Sequence, residues 1–495
     1  MRSLLYPCLL TTLAALLLAP SQARAGGLYL TDRGSRSLGR GGAFVAGADD
    51  GQSLWYNPAG LAHTGRRLVH ADGTLARFQG SFQRVTRDGV NGQPPNVDAK
   101  QTLLPIPTFA LSDSFGTKDW NFGIAGMAPN AVLLNWPETV DDGMGGRLPG
   151  PTRYSLISMK GSIIANLAAG IAWHGIKGLS IGAGVHVIPA RFRAGLYLNA
   201  CDYGVLCTHA EDPEYEAQAT ISLKQTVTAT GTFGLIYALD KVRVGASVML
   251  PYTVGGTAKL DVNLPGGPLF GEASECTKET RNSNPKCAHV IGDQADVALQ
   301  FPMVARLGVE VRPTNTFRAE VDVVYEGWSR QRDLKIKPHG DVRIENAVGV
   351  PLYQIGTISI PRQMQDVYSL RVGGELRPME KVPVILRAGV IAENGSFKSK
   401  TLTPFTLDSN KLVVGAGFSF EVVKDFWIDG LYAHIFMKNM QVRDSIVYPA
   451  NPIRPRLNAQ RDANGRADSG SPEPVGNGDY VMEADVIGGG LRWNI

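Results

Sequence analysis

Residues 295–311 read ADVALQFPMVARLGVEV, and their reading decides the fold. Ala295, Val297, Leu299, Phe301, Met303, Ala305, Leu307, Val309 and Val311 occupy one face, and Asp296, Gln300, Arg306 and Glu310 the other. A period of two is the signature of a strand whose faces meet different surroundings. After the turn Arg312-Pro313-Thr314-Asn315 the pattern resumes: Phe317, Ala319, Val321, Val323 and Tyr325 alternate with Arg318, Glu320, Asp322 and Glu326. A soluble β-sandwich alternates too, but its strands run to about five or six residues. A tilted membrane strand needs about nine to eleven, and the runs here are that long.

Working outward from this hairpin, we place strands at 67–86, 101–115, 119–134, 153–174, 178–198, 220–239, 241–262, 294–312, 316–336, 363–377, 382–395, 410–422, 425–443 and 480–495. They make fourteen, an even number, as a bacterial single-chain barrel requires. Turns at 116–118, 175–177, 240–241, 313–315 and 379–381 are short and are expected on the periplasmic side. The stretches 135–152, 199–219, 263–293, 337–362, 396–409 and 444–479 are long and are expected outside. The expected fold is all-β, a transmembrane antiparallel barrel. The chain ends Leu491-Arg492-Trp493-Asn494-Ile495, alternating to the terminus as a closing strand does, although its last residue is not aromatic.

The other end of the chain sets the compartment. Met1-Arg2 precedes an apolar run from Leu4 to Ala19, and Ala23-Arg24-Ala25 is a small-x-small cleavage site, so residues 1–25 read as a signal peptide. The mature chain is expected to start at Gly26. Beyond it no run of eighteen apolar residues occurs, which excludes a helical span. A net charge of +4 over 495 residues, with Lys and Arg spread along the chain, does not indicate a nucleic-acid partner. Four cysteines remain after cleavage, in two local pairs: Cys201 with Cys207, and Cys276 with Cys287. Three connectivities are open; in an exported protein we favour the local one, each bridge pinning an outer loop by roughly 2–3 kcal/mol.

Residues 26–65 do not alternate. Within them Gly39–Ala62 reads GRGGAFVAGADDGQSLWYNPAGLA. A phosphate loop would need a Lys-Ser/Thr after the glycines, and a dinucleotide fingerprint would need glycine where Phe44 stands. A barrel of fourteen strands leaves an open lumen unless something fills it. A compact glycine-rich segment ahead of the first strand is suited to that place. We therefore expect a hatch over 26–65 and a barrel over 66–495.

Gly26-Gly27-Leu28-Tyr29-Leu30, Ser37-Leu38-Gly39-Arg40-Gly41-Gly42-Ala43, Ala48-Asp49-Asp50 and Asn57-Pro58-Ala59-Gly60-Leu61 together resemble the mature N-terminus of the FadL family. These are outer-membrane transporters of long-chain fatty acids, with relatives that import aromatic hydrocarbons. The resemblance continues through Phe301-Pro302 to Trp328-Ser329, through Asp366 to Gly395, and to the closing strand. It implies a hatch whose movement, carried by Gly39, Arg40, Gly41, Asn57, Pro58 and Ala59, opens a lateral exit at a kink in the third strand. Pro129 lies in that strand beside Gly126 and Asn130, and a proline removes a ladder donor. Gly26, Leu28, Arg153 and Arg191 are the candidate ligand residues, with Arg193 a further cation at the entrance.

No chemistry is expected. None of the eight histidines is followed by a serine two residues on, and there is no GxSxG elbow. His186 has no nameable nucleophile and reads as a hydrogen-bonding lumen residue. Asp49-Asp50 supplies too few ligands for calcium and reads as a hatch-to-wall ion pair. The expected protein is a monomer with no cofactor and no metal. Its partners are a hydrophobic ligand, outer-membrane lipid and the barrel-assembly machinery. An aromatic-hydrocarbon channel, a diffusive porin and a surface adhesin are the alternatives.

Overall fold

Fourteen long strands follow one another as antiparallel neighbours in the computed structural model, which describes residues 32–86, 94–100, 103–127, 135–200, 211–277, 279–348, 350–378, 382–450 and 473–495. They are β1 (Arg67–Arg84), β2 (Leu103–Asp113), β3 (Trp120–Met127), β4 (Asn166–Ile176), β5 (Leu179–Asn199), β6 (Glu216–Ala238) and β7 (Val242–Met249, continued as Tyr252–Asn263). The second half comprises β8 (Gln294–Phe301, continued as Val304–Val311), β9 (Phe317–Glu326), β10 (Val367–Leu376), β11 (Val384–Glu393), β12 (Lys411–Val423), β13 (Phe426–Met437, with Met440–Val442) and β14 (Gly478–Asn494). β14 pairs with β1 from Leu68 opposite Asn494 to Arg84 opposite Gly478, which closes the barrel. Closure is what lipid demands, because an unpaired sheet edge in hydrocarbon would strand its N–H and C=O groups.

The outward faces carry exposed Leu, Val, Ile and Phe on nearly every strand. Phe115, Trp120, Phe122, Phe317 and Trp493 gather at the short-turn end as an aromatic girdle. The inward face of the same levels is charged: Arg306, Glu310, Glu320, Asp322, Arg371, Glu375, Arg387 and Asp429 are all buried.

In β8 the alternation changes sides. Val297 and Leu299 point inward and are buried, whereas past the break at Pro302-Met303 it is Arg306 and Glu310 that are buried and Leu307 and Val309 that are exposed. The sequence reads as one greasy face over seventeen residues. In the barrel it is two, with the apolar set facing the interior above the break and lipid below it. A one-residue shift of phase exchanges the faces of a strand, and the proline supplies the interruption.

Other expectations need correction. Strand four does not begin at 153: residues 151–162 are mostly turns, and the strand starts at Asn166 after a short Ile163–Ile164 ladder on β5. The turn placed at 175–177 lies one residue later, where Gly178 adopts φ +81° while Ile176 still pairs with Leu179. The outer loops are not without strands. His289–Ile291, Arg343–Ala347 and Val350–Gln354 form a small sheet of their own, and Asp333–Pro338 pairs with both β8 and Ile358–Pro361.

Of the two expected disulfides, the structure shows one. Cys276 and Cys287 are joined within the 264–288 loop, and theirs is the only disulfide among the described residues. The bridge expected between Cys201 and Cys207 is not confirmed, because Cys201 and Cys207 both lie outside the described residues. The signal segment, Gly26, Leu28, the turn at 379–381, Pro129 and Asn130 lie outside them as well.

Candidate functional site

Residues 32–64 are buried almost throughout and lie inside the barrel. Their backbone turns through a short helix, Ser35–Gly39, a turn of helix at Ser53–Tyr56 and a 3-10 helix at Pro58–His63. Asn57 builds the last of these: its side-chain oxygen accepts the Ala59 N–H at 3.1 Å, capping the helix, and Pro58 follows where no N–H is needed. The Asn57 amide donates to the carbonyls of Val45 (2.9 Å) and Leu235 (3.1 Å), tying two plug turns to β6.

This plug touches every strand of the wall, and much of the contact is backbone on glycine. A Cβ added to Gly373 (β10) would fall 1.8 Å from the Arg40 carbonyl oxygen, and one on Gly389 (β11) 2.2 Å from its carbonyl carbon. Gly415 (β12) meets Leu38, Gly182 (β5) meets Pro58-Ala59, Gly234 (β6) meets Asn57, and Gly245 (β7) meets Val45-Ala46. Leu61 reaches Gly123 of β3, Leu54 reaches Gly170 of β4, Val45 reaches Gly308 of β8, and Ser35 reaches Gly488 of β14. Gly51 lies on His70 of β1 and Ala110 of β2, Glu320 of β9 receives three plug N–H groups, and the Ser35–Gly39 helix packs on β13. Gly41 needs its missing side chain twice over, because its φ is +61° and a Cβ would meet the Val390 nitrogen at 2.2 Å.

Charge holds the plug as well as shape. Arg40 reaches Glu310 (3.1 Å) and Glu320 (2.8 Å), and Arg36 reaches Glu375 (3.0 Å) and Asp50 (3.3 Å). Glu320 accepts the N–H groups of Val45 (2.8 Å), Ala46 (2.6 Å) and Gly47 (3.1 Å), and Asp322 that of Phe44 (2.8 Å). Asp32 pairs with Arg371. Asp49 bridges Arg36 of the plug (2.5 Å) to Arg318 of the wall (2.7 Å), so it makes a hatch-to-wall ion pair.

Above the plug the interior is apolar. Phe82, Trp136, Phe192, Leu196, Tyr252, Phe270, Trp328, Phe397, Phe405 and Tyr480 belong to one continuous buried cluster built by the upper strands and outer loops. A cavity of about 30 Å³ adjoins the start of the described plug, lined by Leu38, Ile391, Val413, Ala433, Ile435 and Val486 with Asp32, Glu393 and Lys411 at its polar side.

The expected cations behave differently from one another. Arg153 is buried, but Glu216 holds it at 2.7 and 2.8 Å, with Glu211 at 3.6 Å, so its charge is already compensated. Arg191 is exposed on the outer side and donates to the Gly161 carbonyl at 2.8 Å. Arg193 is exposed too. Neither projects into the interior. Sequence reasoning missed Arg362, which is 1% exposed. It stands 4.9 Å over the Phe405 ring and donates once, to Gln331 at 3.0 Å. Its Nε and Nη2 find no partner, and burial alone pushes its pKa down to about 10. The only available signal was its alternation with buried Met364 and exposed Gln363.

At the third strand the described ladder ends at Met127, opposite Thr108 of β2. Gly126 lies in that last pair but one, with ordinary room around it. On β2 the ladder to β1 continues through Leu103–Pro107. Ser114 N–H donates to Arg66 on the β1 side, so by parity the even residues of β2 face β1 and the odd ones face β3. Pro105 and Pro107 therefore remove donors from the edge that faces the third strand, next to the last described pair of that ladder.

His186 is fully buried between Asn166 (2.9 Å) and Thr232 (3.0 Å), a hydrogen-bonding lumen histidine. Among the described residues no cluster of His, Cys, Asp and Glu has metal-binding geometry.

A closed fourteen-stranded barrel with an apolar outer belt and a lumen filled by its own N-terminal segment is an outer-membrane channel protein. Residues 16–467 match the family model described as outer membrane protein transport protein (OMPP1/FadL/TodX), and the chain belongs to that family. Its members are transport channels for hydrophobic molecules rather than enzymes, and they reside in the outer membrane. Among solved structures the chain is similar to a Pseudomonas aeruginosa FadL homologue, with 16% identity, a TM-score of 0.68, and 94% of this chain and 99% of that one covered. It is also similar to the Pseudomonas putida toluene transporter TodX (14%, TM-score 0.60, 94% and 99%) and the Ralstonia pickettii toluene transporter TbuX (15%, 0.56, 94% and 99%). At these identities the likeness is one of fold. No curated protein sequence matches this one.

Proposed function

We propose that this channel imports long-chain fatty acids, taking the carboxylate to Arg362 and the chain among the apolar side chains packed above the plug. The observation that carries the reading is the uncompensated guanidinium of Arg362. A buried cation without a counter-ion costs several kcal/mol, and an anionic ligand headgroup in an apolar surround offsets that cost. An uncharged aromatic would leave it in place. From there the ligand passes toward the small cavity beside Leu38 and Val413. Displacement of the plug segments around Gly39–Gly41 and Asn57–Ala59 then frees it to leave sideways past β3, near Gly126, Pro129 and Asn130.

The test is equilibrium binding of oleate, methyl oleate and toluene to the purified barrel and to Arg362→Met. We expect the wild type to favour oleate over its methyl ester by roughly tenfold or more, the range of a charge-assisted hydrogen bond. The variant should lose that preference while still binding the ester. Equal affinity of the wild type for all three ligands would overturn the fatty-acid reading and favour the second one, an aromatic-hydrocarbon channel. The toluene transporters among the structural neighbours support that alternative. The filled lumen speaks against a diffusive porin.

A further inference from the structure

On the outside of the barrel, β7 to β10 turn from apolar to polar at one level. Below it Leu250, Leu307, Val323 and Leu370 face outward. Above it the outward residues of the upper β7 and β8 segments include Thr253, Thr257, Asp296 and Gln300, with Gly256 and Ala298 the only exposed apolar residues between them. Tyr368, 58% exposed, marks the boundary with Tyr325 beside it at 5.3 Å, and aromatic residues of this kind sit at headgroup depth.

A groove of about 590 Å³ opens just above that boundary, on the lipid side of the wall and at its long-loop end. Five cations line it: the exposed Arg330, Arg332, Lys335 and Lys337, and the buried Arg362. Lys335 and Lys337 project from the same face of one strand, about 7 Å apart. Arg330 and Arg332 border a 3-10 turn fixed from below by Trp328, which is buried and donates to Glu326 at 2.7 Å. Among the described residues none of the four exposed cations makes a salt bridge or a side-chain hydrogen bond. Two acids share the groove. Asp296 lies across the ladder from Lys337, with its Oδ1 bonded to Thr257 (2.9 Å) and His339 (3.2 Å), and together with Asp333 it leaves the balance of the groove positive.

The geometry points to a binding site for the phosphate-bearing headgroup of an outer-leaflet glycolipid. The groove faces lipid rather than the lumen and sits at the depth of the headgroups. Its guanidinium pair matches phosphate in the bidentate manner that lysine alone cannot supply. Acyl chains below such a headgroup would lie along the apolar outer face of β8 and β9. The groove also reaches buried Gln331 and Arg362, so it borders the site proposed for the carboxylate, but the lipid contact rests on the four exposed cations alone.

Native mass spectrometry of the purified full-length barrel, titrated with lipopolysaccharide, tests this. Arg330→Gln/Arg332→Gln/Lys335→Gln/Lys337→Gln is compared with Lys118→Gln/Lys177→Gln/Lys241→Gln/Lys424→Gln, which removes the same charge from exposed positions at the short turns. Heat-modifiable gel mobility confirms that both variants fold. We expect the first variant to bind roughly tenfold more weakly or worse and the second to match the wild type. Dephosphorylated lipopolysaccharide should bind the wild type as weakly as intact lipid binds the first variant. Equal binding by the wild type and the first variant overturns the site. Displacement of the lipid by equimolar inorganic phosphate would mean that the groove takes free phosphate, and overturns the lipid assignment.

Discussion

Glu320 receives three consecutive plug N–H groups on one carboxylate and holds Arg40 at 2.8 Å, all without contact with water. The Gln variant keeps an acceptor for the amides but loses the charge that Arg40 faces. Breaking a buried pair from one side costs about 3 kcal/mol or more. Amides of Val45 to Gly47 should then exchange hydrogen roughly a hundredfold faster in Glu320→Gln while the strand amides keep their protection. Unchanged exchange at those three residues would mean that shape, not charge, seats the plug. At this scale the sequence was only partly readable. The glycines and Asn57-Pro58 announced a compact segment, and Asp49-Asp50 an ion pair. Arg362 could not be told from Arg153 or Arg191, because compensation depends on which acids the fold brings near, and Glu216 is 63 residues from Arg153.

Among the elements, β2 and β8 carry information that alternation alone conceals. Most strand positions and short turns were legible because the period and the turn residues are local. The start of strand four and the end of strand nine, expected at 336 and found at Glu326, were not. The exchange of faces at Pro302 was not, since a period of two says that the faces differ but not which one meets lipid. The outer-loop sheets were hidden for a related reason: strands of three to five residues leave too short a run to show a period. On β2 the missing donors of Pro105 and Pro107 give a testable weakness. Pro105→Ala/Pro107→Ala returns two N–H groups to the edge facing β3, at about 1 kcal/mol each when paired. We expect slower uptake of labelled oleate by cells carrying that variant, with the barrel's heat-modifiable gel mobility unaltered. Uptake at the wild-type rate would remove this edge from the exit path.

For the molecule as a whole, plug and wall are each incomplete alone. Removing residues 32–64 leaves Glu310, Glu320, Asp322 and Glu375 without their plug partners and opens the lumen. Planar-bilayer recording should show a silent wild type and an ion-conducting deletion variant with a lower unfolding midpoint. A wild type that conducts as well as the variant would mean that the plug does not seal the lumen.

The seam between β1 and β14 joins the two ends of the barrel, and the plug precedes β1 while touching β14 through Ser35 and Gly488. Glycines spaced round the wall accept the plug's backbone at close range, so the plug's girth matches the circumference that strand number and stagger set. We expect the segment that blocks the finished channel to serve as the mandrel on which the channel is rolled. Its removal should slow closure of the seam in refolding experiments, before any question of transport arises.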